Sequence, residues 1–179
     1  MTVIDKATAA ERLIVSAIVM SERGDDPLAI HVVAASALNV LRDLIKKNGD
    51  NYIEQVLKQG MFAAASAHIE GKPIMLPNNP DIEALIQNLA QDIAAGKVHQ
   101  ASDLTITLSG NELHAMLIYI TKPYNFLKHA DNDPLATLDE SDFDSRGAIG
   151  HALTALSMVC PGKPLPDEIR PYLEKNDFL

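Results

Sequence analysis

Residues 26–49 read DPLAIHVVAASALNVLRDLIKKNG, and this stretch decides the fold class. Asp26 followed by Pro27 is a helix start: a carboxylate can cap the first unpaired N–H groups, and the proline ring presets a helical φ where no donor is needed. From Leu28 to Lys47 there is neither Gly nor Pro, and Asn48-Gly49 closes the run. Lys46 and Lys47, after Arg42, suit a last turn, where the helix dipole favours cations. A long helix is expected here.

The flanking sequence repeats that grammar. Thr8 and Glu11 have capping-box spacing, and Leu13, Ile14, Ala17, Ile18 and Val19 recur at helical period, so a helix is expected from Thr8 to Glu22, ending at Gly24. Asn51–Gln59 and Phe62–Ile69 read as helix with an interruption expected at Gly60. KPIMLPNNP, residues 72–80, is a proline-punctuated connection that could cover a site, and Asp81 opens a helix ending near Gly96. Leu104–Leu108 alternates like a strand but has no partner strand elsewhere, so it is expected as extended linker. Ser109 and Glu112 form a second capping box ahead of HAMLIYITKPYNFLKHA, where Pro123 is expected to kink or break the helix. Asp144 or Ser145 starts a last long helix reaching Cys160, and Asp167–Lys175 reads as a short helical segment. The expectation is an all-α fold, an irregular bundle of five to seven helices forming a single helical domain over residues 1–179.

Composition bounds the function. With 47% hydrophobic and 22% charged residues the chain is that of a globular protein able to enclose its own core. Its single cysteine, Cys160, permits no disulfide within one chain and no cysteine-based zinc site, which points to a reducing, cytoplasmic setting. Leu13–Met20 is far shorter than the roughly 20 apolar residues of a membrane span, so neither signal peptide nor membrane anchor is expected. A net charge of −9 disfavours broad affinity for RNA or DNA, whose phosphates are bound chiefly by Lys and Arg.

No GxxxxGK[ST], GxGxxG, HExxH or GxSxG motif is present. What remains are 6 histidines and the polar run YNFLKHADNDP. Asn125 and His129 lie one helical turn apart on one face, and a helix continuing through Pro123 would extend that stripe back through Thr121, Ile118 and His114. A break at Pro123 would dissolve it. Asp131 and Asp133 fall in an exposed turn at Asp133-Pro134, where carboxylates can orient a histidine or hold a cation. The plainer account makes Asn125 and Lys128 a solvated face and Asp131–Pro134 an ordinary helix-ending turn. His31, in a stripe with Ala35, Leu38 and Arg42, is expected as a buried, hydrogen-bonded histidine, while His68 and His99 are expected at the surface. Ser36, Asn39 and Asp43 share one face of the same helix, facing either solvent or His129.

The run NFLKHADNDP, with DPLAIHVVAASALNVLRDL upstream, resembles an uncharacterised family of helical bacterial proteins carrying an N-F-x-K-H-A-D-x-D-P segment and a similar His-bearing second helix. More distantly the chain resembles HEPN domains, helical bundles that often dimerise and include metal-independent ribonucleases. Their signature is an Arg, commonly followed by a polar residue, with a His four to six positions after the Arg. Asn125 and His129 match the polar residue and the His, whereas Tyr124 stands where the Arg would be, with Lys122 the nearest upstream base. A lysine cannot present the planar fork of a guanidinium to a phosphate.

The resemblance implies a degenerate, non-catalytic HEPN-like module, homodimeric, binding a small ligand or protein partner through the His129 face and needing no cofactor. The alternative it implies is a metal-independent endoribonuclease with His129 as general base toward the ribose 2′-hydroxyl and Lys122 or Lys128 stabilising phosphate charge. A further alternative, from ligand types alone, is a hydrolase with a metal held by His31, His129, Asp131 or Asp133. His129, Asn125 and Lys128 are thus the catalytic candidates, and His31, His114, Asp131 and Asp133 the ligand-binding ones, with no residue assigned to a resident metal.

Overall fold

Seven α-helices, three short 3-10 turns and no strand make up the regular structure among the described residues, 3–72, 80–129 and 134–176 of a computed structural model. The helices are α1 (Lys6–Arg23), α2 (Pro27–Lys47), α3 (Tyr52–Ile69), α4 (Pro80–Ala94), α5 (Gly110–Lys128), α6 (Ser145–Val159) and α7 (Arg170–Lys175). The chain divides into two compact units, one of Met1–Tyr52 with Ala115–Leu179 and one of Ile53–His114.

The helix ends follow capping chemistry. Asp26 Oδ1 accepts from Leu28 N–H at 2.7 Å at the start of α2, and Pro27 occupies the first turn. Asp144 caps α6 by accepting from Gly147 N–H at 2.8 Å. Gly24 closes α1 in the left-handed region at φ 72°, returning its N–H to Met20 and Ser21, a conformation that favours glycine. Ser109 and Glu112 exchange the reciprocal bonds expected of a capping box.

Three local expectations are corrected. Asp5, not Thr8, caps α1: its Oδ1 accepts from Thr8 N–H at 2.7 Å, so the helix begins one turn earlier. Gly60 does not interrupt α3, which runs unbroken from Tyr52 to Ile69. Of the kink or break expected at Pro123, the break does not occur, α5 running from Gly110 to Lys128. The segment 104–109 carries no helix or strand, its first residue Leu104 having extended backbone, and Asp167–Lys175 is a 3-10 turn leading into α7. Most of the 72–80 connection, together with Asp131 and Asp133, lies outside the described residues.

In the larger unit α2 packs against α1 and α6, and α1 against α6. Each contributes one face at helical spacing: Ala10, Ile14, Ala17 and Ile18 from α1; Ile30, Ala34, Leu38, Leu41 and Ile45 from α2; Ile149, Ala152, Leu153 and Leu156 from α6. Ala10, Ala17, Ala34, Ala37, Ala152 and Ala155 are wholly buried, and such small side chains let helix backbones approach closely while the Ile and Leu residues fill the space between. Burying one of those larger side chains contributes about 1.5–3 kcal/mol. By length and composition α2 is also the one helix among the described residues apolar enough to cross a membrane; here its Ile30–Ile45 row forms the centre of this core. The smaller unit has its own cluster, Ala65 of α3 with Ile86, Leu89 and Ala90 of α4, flanked by Met61, Ile82, Ile93, Val98 and Leu104.

Candidate functional site

Inside the larger unit, α2, α5 and the start of α6 enclose a cavity of about 200 Å³. Ala35, Leu38, Ile120, Pro123 and Ala148 supply apolar wall, and His31, His151, Asp144, Asp142, Lys122, Asn39 and Thr121 supply polar groups. Helical spacing brings the polar ones together: Ala35, Leu38 and Asn39 follow His31 one and two turns along α2, and Gly147 and His151 lie one turn apart on α6.

His31 is only 4% exposed, and its Nδ1 is buried with no hydrogen-bond partner. A buried, partnerless ring nitrogen is costly, and among the described residues no other buried side-chain nitrogen or oxygen lacks a partner. The Phe143 ring meets His31 edge-on, with centroids 5.7 Å apart, and so fixes its orientation. Burial holds the His31 pKa below the usual histidine value, opposed by the backbone and the charge of Asp144.

His151 is anchored differently. Tyr52 Oη lies 2.9 Å from its Nδ1 and 3.1 Å from its backbone carbonyl oxygen. The phenol has a single hydrogen, and burial pushes its pKa upward, so it stays protonated. If that hydrogen went to Nδ1, two oxygen acceptors would face each other at 3.1 Å unbridged. The consistent arrangement has Tyr52 donating to the carbonyl and Nδ1–H donating to Tyr52. The neutral ring then carries its lone pair on Nε2. Burial lowers the His151 pKa too, again opposed by Asp144.

Asp144 therefore has two duties, capping α6 and acting through its charge on both imidazoles. Gly147 permits the first, because a Cβ there would overlap the Asp144 carboxylate. At the rim Lys122 Nζ meets Asp142 at 3.3 Å. Deeper on α2, Arg42 Nη1 donates to Asn39 Oδ1 at 2.9 Å, and Asn39 Nδ2 donates to the Ala35 carbonyl at 3.0 Å.

The other anticipated residues are placed elsewhere. His129 is exposed just past the end of α5, and its N–H donates to the Asn125 carbonyl at 3.0 Å. Asn125 is exposed too, with Nδ2 donating to Thr121 Oγ1 at 3.1 Å. Lys128 reaches over the Tyr124 ring at 5.8 Å, and with Leu127 it lines a shallow apolar groove against Leu28, Val32 and Val33. His114 is exposed and belongs to the smaller unit. Of the polar stripe anticipated on α5, Thr121 is buried while His114, Ile118, Asn125 and His129 are exposed. Among the described residues no group of three or more His, Cys, Asp or Glu side chains could hold a metal ion. His31 was anticipated as buried, but the hydrogen bond expected of its ring is missing at Nδ1. His151, Tyr52 and Asp144 were not singled out as site residues; the nearest signal was the Asp144 helix start about two turns before a histidine.

No protein-family model matches the chain, and neither curated proteins nor solved structures yield a match.

Proposed function

We propose that this protein is a non-catalytic, HEPN-like ligand-binding module whose small ligand occupies the cavity between His31 and His151. The observation that carries this is His31, a nearly fully buried imidazole on a cavity wall with a nitrogen that no protein group satisfies. Concave, mostly apolar pockets with a few convergent polar groups are where small ligands bind, and perturbed histidines mark such sites. The HEPN-like relation contributes the helical architecture and the homodimer to this proposal, and not nuclease chemistry. Tyr124 replaces the arginine, Asn125 is turned to Thr121, and the exposed His129 has no arginine beside it in sequence. Dimerisation draws support from Met116, Ile118 and Tyr119, apolar residues of α5 left exposed.

The test is NMR of the histidine ring signals of the full chain, titrated with small-molecule fragments of mixed charge. Fragments that shift His31 and His151 while leaving His129 unmoved are the expected result. Shifts confined to His129, or no shift at any histidine, would overturn the cavity as the ligand site.

A further inference from the structure

We propose that the ligand of this cavity is an organic cation, a protonated amine on a short apolar chain, with the Asp144 carboxylate as counter-ion and the His31 and His151 rings as hydrogen-bond acceptors; this rests on the cavity being the ligand site. Sorting the polar walls by what they have left to offer leads there. Thr121 Oγ1 donates to the Leu117 carbonyl and accepts from Asn125. Asn39 accepts from Arg42 and gives one N–H to Ala35, and Lys122 is turned to Asp142. The donors on the walls are largely committed, with one N–H of Asn39 and the remaining Lys122 N–H groups at the rim left over.

The acceptors are not. Asp144 Oδ1 takes the Gly147 N–H, leaving Oδ2. With Nδ1–H of His151 given to Tyr52, its Nε2 carries a lone pair. His31 Nδ1 is buried without a partner, and in the Nε2–H tautomer it presents a second lone pair. A site offering two imidazole lone pairs and a carboxylate oxygen is matched by a group that brings several N–H donors and positive charge, as an ammonium does.

An anion fits poorly for a separate reason. The N-terminus of α6 borders the cavity and would ordinarily attract negative charge, but Asp144 already caps it, and Asp142 adds a second carboxylate at the rim. Ala35, Leu38, Ile120, Pro123 and Ala148 provide the wall for an alkyl chain.

The experiment titrates the full chain at about pH 7.5, where histidines of ordinary or lowered pKa are neutral, with n-butylammonium chloride, butan-1-ol and sodium butyrate, reading the His31 and His151 ring signals. Butylammonium is expected to shift both signals and to bind about tenfold more tightly than the alcohol or the carboxylate. Asp144→Asn is expected to weaken butylammonium binding about tenfold; Asn is as good a helix cap as Asp, so α6 is retained, which circular dichroism checks. Butyrate or butanol binding as tightly as butylammonium at these signals would overturn the cationic assignment while leaving the cavity as a ligand site. Unchanged affinity in Asp144→Asn would overturn Asp144 as counter-ion. Silence of both histidines to every probe and to the fragment panel would overturn the assignment together with the site.

Discussion

Tyr52 Oη and His151 Nδ1 stand 2.9 Å apart although the two residues are 99 positions apart in sequence. The contact lies within the larger unit, tying Tyr52 to α6, and fixes the imidazole tautomer at the cavity wall. Tyr52→Phe removes the group that satisfies both Nδ1–H and the His151 carbonyl. The expected cost is about 1–3 kcal/mol, the penalty for stranding buried polar groups, read from denaturant midpoints. The His151 ring signals should also change, because the variant frees the tautomer. Unaltered stability and an unaltered His151 spectrum would refute the assignment.

Gly147 and Gly60 make an opposed pair. A Cβ at Gly147 meets the Asp144 carboxylate, whereas one at Gly60 meets nothing within 4 Å. Gly147→Ala should therefore destabilise by about 1–3 kcal/mol through forced movement of the cap, and Gly60→Ala, inside the continuous α3, should stabilise by about 0.5–1 kcal/mol through helix propensity. Thermal melts giving the two changes the same sign would contradict the local geometry at one of them.

The helices were largely legible in the sequence because their signals are local: Asp26-Pro27 starts α2, Asp144 starts α6, Gly24 ends α1. Where two local signals competed, the sequence could not rank them. Thr8 with Glu11 has the spacing of a capping box, yet the carboxylate of Asp5, one turn earlier, takes the Thr8 N–H. Pro123 looked like a breaker, but losing one N–H did not outweigh the burial of Thr121 and Pro123 on either side of that turn. The site was far less legible. His31 could be seen as buried from its apolar neighbours, but its missing partner, the Tyr52–His151 pair and the approach of Asp144 to both rings depend on chain segments far apart, which no periodicity encodes.

Histidine burial gives a pH dependence with a defined sign. Both His31 and His151 have folded pKa values lowered from 6.5, burial being the larger cause and Asp144 opposing it. The unfolded chain therefore binds more protons than the folded one below about pH 6.5. The stability held by these neutral rings is fully present above that pH and is lost as pH falls through 6.5 toward the folded values. Urea midpoints should drop between about pH 7.5 and pH 5.5, and the drop should shrink in His151→Gln. An equal drop in the variant would show that other groups carry it.

Exposure separates His129 from the core. His129→Ala should change stability by less than about 1 kcal/mol, as should Leu127→Ala. Leu127 is 39% exposed at the edge of the α2–α5 groove. Ile149→Ala, at a fully buried site on α6, should instead cost about 2–5 kcal/mol through lost burial and a residual cavity. Denaturant melts in which His129→Ala matched Ile149→Ala would make His129 a core residue.

Self-association is expected to run through α5 and not through α1. Both carry long apolar runs, but α1 buries Ile14, Ala17 and Ile18 in the core of its own unit, whereas α5 leaves Ile118 half-exposed and Tyr119 at 81% exposure. Scattered exposed apolar residues are ordinary, but Met116, Ile118 and Tyr119 fall within one turn of a single helix and together favour a protein partner over water. Light scattering at micromolar concentration should give a mass above the 19.4 kDa of one chain. Ile118→Lys should return it to that value, because a charge placed in an apolar interface without a partner costs more than the contact contributes. The same substitution should leave circular dichroism unchanged, since Ile118 is not part of the core. A monomer mass for the parent protein, or a dimer that survives Ile118→Lys, would remove α5 as the contact.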